Sequence, residues 1–62
     1  MIEAMQSRFA NAISRVRRGL TTPTEEINQA IGYLKAMTDM GALSMADYEV
    51  QLANFTRMIT EM

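Results

Sequence analysis

The side chains with catalytic potential in this sequence are carboxylates, hydroxyls and a single lysine, Lys35. Histidine and cysteine are absent, which removes the commonest metal ligand and general base as well as the thiolate nucleophile. Two acidic pairs, Glu25 with Glu26 and Asp47 with Glu49, are spaced one and two residues apart and therefore diverge on a helix. No glycine-rich phosphate loop is present. We predict that the protein is not an enzyme and that it uses no metal or cofactor.

Arginines near the N-terminus are the second group of side chains with chemical potential. On a helical wheel, a polar set lies within about 80° and away from the apolar residues: Arg8, Asn11, Arg15 and Arg18. Arginines on one helix face can contact the phosphates of a nucleic acid or an acidic protein surface. The alternative is a solvated face that suits the helix C-terminus and pairs with Glu25 or Glu26.

The two parts of the chain differ in charge, although the net charge is only −1. Residues 1–20 contain four arginines and one glutamate, whereas residues 21–62 contain two basic and six acidic residues. In a helix-turn-helix protein the third helix would read DNA, but here it has Arg57 against three acidic residues. Because DNA repels such a helix, any contact with nucleic acid is expected to use the first helix.

Apolar residues recur at three- and four-residue spacing in three segments, and no segment alternates like a strand. The sequence therefore predicts a single all-α domain over residues 1–62, with helices at about 2–20, 23–40 and 45–61. The first apolar stripe is Ile2, Met5, Phe9, Ala12, Ile13, Val16 and Leu20; the second is Ile27, Ala30, Ile31, Leu34 and Met37; the third is Met45, Tyr48, Leu52, Phe55, Ile59 and Met62.

Capping residues mark the boundaries of the predicted helices. Thr22 can cap the second helix, with Pro23 at its first position, and Ser44 can cap the third. Gly41 is suited to the left-handed residue that closes the second helix. Gly19 is expected to fray the last turn of the first helix, because glycine lowers helical stability.

Residues 31–52 combine a leucine-containing helix, a glycine stop and a capped second helix that carries an acidic and an aromatic residue. The matching positions are Leu34, Met37, Gly41, Leu43, Ser44, Asp47, Tyr48, Glu49 and Leu52. This segment resembles the SHOCT type of short helical-hairpin domain, although Val50 and Gln51 stand where basic residues are usual. The resemblance implies a module for oligomerisation and protein contacts. The size of the chain is also similar to that of small accessory proteins of phages and mobile elements.

Self-association is expected because the chain is short. A domain of this size buries only about 60% of the surface that its unfolded chain exposes, and no disulfide can compensate. The outer strip of the third helix, Ala46, Val50 and Ala53, is one candidate contact. The apolar seams are the other, with Phe9, Leu52, Phe55 and Ile59 at the buried centre. We therefore predict a homodimeric helical bundle.

We expect a cytoplasmic protein without membrane contact, because no run approaches the roughly 18 apolar residues of a membrane span and no signal-peptide pattern is present. The predicted function is a non-catalytic helical module that self-associates and docks on, recruits or inhibits a partner protein. If the first helix makes that contact, its charged anchors are Arg8, Arg15 and Arg18. The alternative is a nucleic-acid-associated regulator that uses the same arginine face.

Overall fold

The computed structural model describes the backbone of residues 2–62 and the side chains of residues 3–62. It contains three α-helices, α1 (Ile2–Arg17), α2 (Pro23–Asp39) and α3 (Met45–Thr60), and no strand within residues 2–62. The prediction of an all-α chain with three helices is confirmed, and each helix ends one to three residues earlier than predicted. The side chain of Ile2, assigned to the first apolar stripe, lies outside the described residues.

Gly19 ends α1 with an ordered cap. Its φ is +72°, its N–H donates to the carbonyl oxygen of Val16 at 3.0 Å, and the Leu20 N–H donates to that of Arg15 at 2.9 Å. These two hydrogen bonds form a Schellman motif, which satisfies carbonyls that a helix end otherwise leaves unpaired. The expectation that Gly19 frays the helix is therefore wrong. Leu20 was wrongly placed in the apolar stripe, because it follows the helix and is 65% exposed.

The start of α2 follows the predicted capping pattern. The hydroxyl of Thr22 accepts a hydrogen bond from the Glu25 N–H at 3.2 Å, and Pro23 occupies the first turn. The backbone of Thr22 is extended, with φ −106° and ψ 156°, as an N-cap residue requires. Both the cap and the first residue of α2 are thus confirmed.

The short loop between α2 and α3 contains the residues that cap the end of α2 and the start of α3. Gly41 has φ +76° and donates its N–H to the carbonyl oxygen of Thr38 at 3.0 Å. The hydroxyl of Ser44 accepts from the Asp47 N–H at 3.1 Å. Gly41 and Ser44 therefore have the capping roles that the sequence predicted.

The core contains residues from all three helices. Its buried members are Met5, Phe9, Ala12, Ala30, Leu34, Met37, Phe55 and Ile59. The rings of Phe9 and Phe55 stack with centroids 4.5 Å apart and planes 26° apart, which joins α1 to α3. Met45 and Met62 of the predicted third stripe do not belong to the core: they are 62% and 47% exposed, because Met45 is the first residue of α3 and Met62 follows its end.

Candidate interaction surfaces

Arg15 of the predicted arginine face forms an ion pair with Glu26 of α2. Its Nη2 lies 2.7 Å from Oε1 of Glu26, and its Nε donates to Oε2 at 3.4 Å. The Glu26 residue is buried, with 3% of its surface exposed. The hydrogen bond from Arg15 lowers the pKa of this carboxyl group, although burial acts in the opposite direction. Arg15 therefore compensates a buried negative charge inside the molecule. This pairing agrees with the alternative prediction, in which the arginines pair with Glu25 or Glu26.

Arg8 also contacts α2, through the ring of Tyr33. The central carbon of its guanidinium group lies 4.4 Å from the ring centroid. A cation–π contact of this kind contributes about 0.5–1 kcal/mol at an exposed site. Two of the three predicted charged anchors thus hold α1 against α2.

The structure brings only part of the arginine set together. Three of its members line an open, shallow depression between α1 and α2, which is formed by Ala4, Ser7, Arg8, Asn11, Arg15 and Gln29. Asn11 and Arg18 are exposed, but Arg18 lies beyond the end of α1 and does not line the depression. The four residues therefore do not form one uniform binding face.

The outer strip of α3 is open to solvent. Ala46, Val50 and Ala53 are all exposed, and Val50 has 54% of its surface accessible. These side chains are on the opposite side of the helix from the buried Phe55 and Ile59. The strip is available for contact with another molecule.

The apolar residues predicted at the centre of a dimer lie mostly inside one chain. Phe9, Phe55 and Ile59 are at most 5% exposed, and Leu52 is half-buried against the same core. Phe9, Phe55 and Ile59 therefore pack within one chain, whereas Leu52 is partly accessible and the outer strip of α3 is exposed. The physical reason is that α1, α2 and α3 together enclose these rings and the isoleucine.

A groove between α1 and α3 was not predicted from the sequence. The base contains the stacked rings of Phe9 and Phe55. The walls are formed by Gln6, Ala10 and Ile13 of α1 and by Gln51, Asn54, Arg57 and Met58 of α3. We call this groove, with its base and walls, the α1–α3 groove. One feature of the sequence could have indicated this groove. The three α1 residues, and likewise Gln51, Asn54 and Met58 of α3, are uncharged and recur at helical spacing.

The described side chains were compared with the requirements of a metal site and of complete hydrogen bonding in the core. Across residues 3–62, no group of three or more acidic residues could hold a metal ion. In the same range, every buried side-chain nitrogen or oxygen has a hydrogen-bond partner. No helix of the described chain has the length and apolar character needed to cross a membrane.

Comparisons with protein-family models, with curated proteins and with solved structures found no match. The resemblance of residues 31–52 to a SHOCT hairpin therefore stays a prediction.

Proposed function

We propose that the protein is a non-catalytic helical module of the cytoplasm that binds a partner protein in the α1–α3 groove and forms a homodimer. The supporting observation is the lack of charge in this groove. The chain has six basic and seven acidic residues, but Arg57 is the only charged residue among those that line the groove. Interface centres are depleted in charge in the same way.

The groove has the composition that an amphipathic helix requires. Met58 is 46% exposed, and Ala10 and Ile13 face it from α1. Methionine adapts to irregular apolar shapes, which suits it to a binding surface. The apolar side of a partner helix would pack on these three residues, as in other helix-in-groove complexes.

The polar groups on the walls can orient that helix. Gln6, Gln51 and Asn54 line the groove, and each amide can both donate and accept hydrogen bonds. The stacked Phe9 and Phe55 connect the two walls through the core. Because the base is already packed, binding requires little rearrangement of α1 relative to α3, which keeps the entropic cost of association low.

The nucleic-acid alternative has weaker support. A phosphate bound by Arg15 would compete with Glu26 for the same guanidinium group. Losing that hydrogen bond would leave a buried carboxylate without its partner, which is costly. Arg8 would similarly have to leave the ring of Tyr33. A partner helix in the α1–α3 groove disturbs neither contact.

The proposal is tested by adding one charge to the groove and the same charge elsewhere. Ala10→Glu changes a wall of the groove, whereas Ala36→Glu changes an exposed alanine of α2 outside it. Proteins from a lysate of the source cells are captured on wild type and both variants and compared by quantitative mass spectrometry. A groove partner binds wild type and Ala36→Glu but is lost from Ala10→Glu. Binding of the purified candidate is then measured by calorimetry, and equal affinity for both variants contradicts the proposal.

A further inference from the structure

The exposed face of α3 carries opposite charges at equal distances from Ala53. Glu49 lies four residues before this alanine and Arg57 four residues after it, and all three are exposed. An α-helix rises 1.5 Å and turns 100° per residue, so each charge lies about 6 Å from Ala53 along the helix axis. The two charges are rotated by about 40° from Ala53 in opposite directions. The other exposed positions of this face, Ala46, Val50 and Thr60, are uncharged.

We propose that two copies of the chain pair through this face, with their α3 helices antiparallel and a twofold axis beside Ala53. An interface of this symmetry uses the same patch on both copies, so the patch has to complement itself. Here Glu49 of each copy faces Arg57 of the other, and the two ion pairs are equivalent. Parallel helices would instead place Glu49 against Glu49 and Arg57 against Arg57. The inference rests on the self-association in the proposed function and specifies its geometry.

Among residues 3–62 of one chain, neither charge forms an ion pair with a group of opposite sign. The ion pair found in residues 3–62 joins Arg15 to Glu26. Arg57 donates only a 3.3 Å hydrogen bond to the side-chain oxygen of Asn54, on its own helix. Both groups therefore keep their charge available for a second copy.

The uncharged residues of the face allow close packing. Alanine side chains lose no rotamer freedom on burial, and Val50 supplies accessible apolar surface, since it is 54% exposed. One helix face per copy is nevertheless a small interface, below the roughly 800 Å² per partner of stable complexes. We expect weak association, with the charges selecting the antiparallel register more than raising the affinity.

Charge reversal tests this arrangement. The wild type, Glu49→Arg and Arg57→Glu are each analysed by sedimentation equilibrium up to about 1 mM, a range set by the weak affinity expected for a small interface. Each single variant should dimerise at least about fivefold more weakly, because it replaces two attractions by two repulsions. An equimolar mixture of the two variants should recover association, since every facing pair is again opposite in charge. The double variant Glu49→Arg, Arg57→Glu should recover it alone.

Asp39→Arg is the matched control, because it makes the same charge change at the exposed last residue of α2, outside the proposed face of α3. It should dimerise like wild type. Circular dichroism confirms that each variant is helical. A dimer that Glu49→Arg does not weaken, or a mixture that does not recover, overturns the antiparallel register while the proposed self-association stands. A wild type that is monomeric at 1 mM overturns both. Capture of a groove partner by Glu49→Arg tests the other half of the proposed function separately.

Discussion

Arg15 and Glu26 form the ion pair that connects α1 to α2, with 2.7 Å between Nη2 and Oε1. The arginine side chain is 41% exposed, whereas the side chain of the glutamate is 4% exposed. The two ends of the pair therefore differ in what their removal leaves behind. Loss of the arginine leaves a charge without a partner inside the molecule, whereas loss of the glutamate's charge leaves an arginine that water can solvate.

This asymmetry predicts the order of stability of three variants. Arg15→Ala should lower the thermal midpoint most, by several degrees, because the buried carboxylate keeps its desolvation cost without its partner. Glu26→Gln should lower the thermal midpoint less. The double variant, Arg15→Ala with Glu26→Gln, should be more stable than Arg15→Ala alone. Thermal unfolding followed by circular dichroism measures all three. Equal midpoints for Arg15→Ala and the double variant would show that the carboxylate is not the source of the loss.

The same pair predicts how stability changes in acid. The pKa of Glu26 is lowered from its ordinary value of 4.5, chiefly by the hydrogen bond from Arg15. A carboxyl group with a lowered pKa in the folded state stabilises that state fully above the unfolded-state pKa, and the contribution is lost as pH falls through the folded-state value. The free energy of unfolding of the wild type should therefore decrease as the pH is lowered below about 4.5.

Glu26→Gln removes this titration and is the control for the acid prediction. Urea unfolding is measured between about pH 2.5 and 7, a range that spans the ordinary pKa of a glutamate. The free energy of unfolding should differ most between wild type and variant at the neutral end. The difference should narrow with acidification. A constant difference over the whole range would mean that the protonation of Glu26 is not linked to folding.

Two glycines should respond oppositely to replacement by alanine. Gly41 has φ +76°, a left-handed conformation that costs a residue with a Cβ atom roughly 1–2 kcal/mol, so Gly41→Ala should destabilise. Gly32 lies inside α2, and an added Cβ there meets no atom within 4 Å. Gly32→Ala should stabilise the protein by about 0.5–1 kcal/mol, because alanine favours a helix more than glycine does.

Urea unfolding of the two glycine variants is the measurement, and each serves as the control for the other. A third variant, Gly41→Asn, should be intermediate, since asparagine tolerates the left-handed region better than alanine. If Gly41→Ala were as stable as wild type, the left-handed backbone of residue 41 would not strain an alanine at that position.

Binding to nucleic acid is expected to be weak. Arg8 and Arg15 are engaged with Tyr33 and Glu26, which leaves few arginines for phosphate. A mobility-shift assay with duplex and single-stranded DNA at about 50 mM salt should show no complex at micromolar protein, and one formed through several phosphate contacts would weaken steeply with added salt. If a complex with this salt dependence forms and the Arg8→Ala variant does not form it, the result would favour the alternative function, a nucleic-acid regulator that uses the arginine face.

The starts of α2 and α3 and the cap that closes α2 could be predicted from the sequence because capping is local. Thr22 and Ser44 each bind the N–H of a residue three positions later, and Gly41 supplies a conformation that other residues avoid. Gly19 has the same role as Gly41, because both have positive φ at the end of a helix. The tolerance of glycine for positive φ was therefore more informative than its low helical propensity.

The arrangement of side chains across helices could not be predicted in this way. A helical wheel gives the angle of Arg15 about its own axis, but its partner is eleven residues away on α2. Whether Phe9 and Phe55 meet depends on the relative height and rotation of α1 and α3, and no local pattern encodes these. The α1–α3 groove was missed for the same reason, since its walls come from distant parts of the chain.

Local interactions specify three capped helices and the apolar side of each, because backbone hydrogen bonds and side-chain periodicity act over a few residues. The packing of the three helices pairs Arg15 with Glu26, encloses Phe55 within one chain and leaves Met58 at the edge of a groove. These outcomes depend on how three helices pack together, which is settled by the burial of surface across the whole molecule.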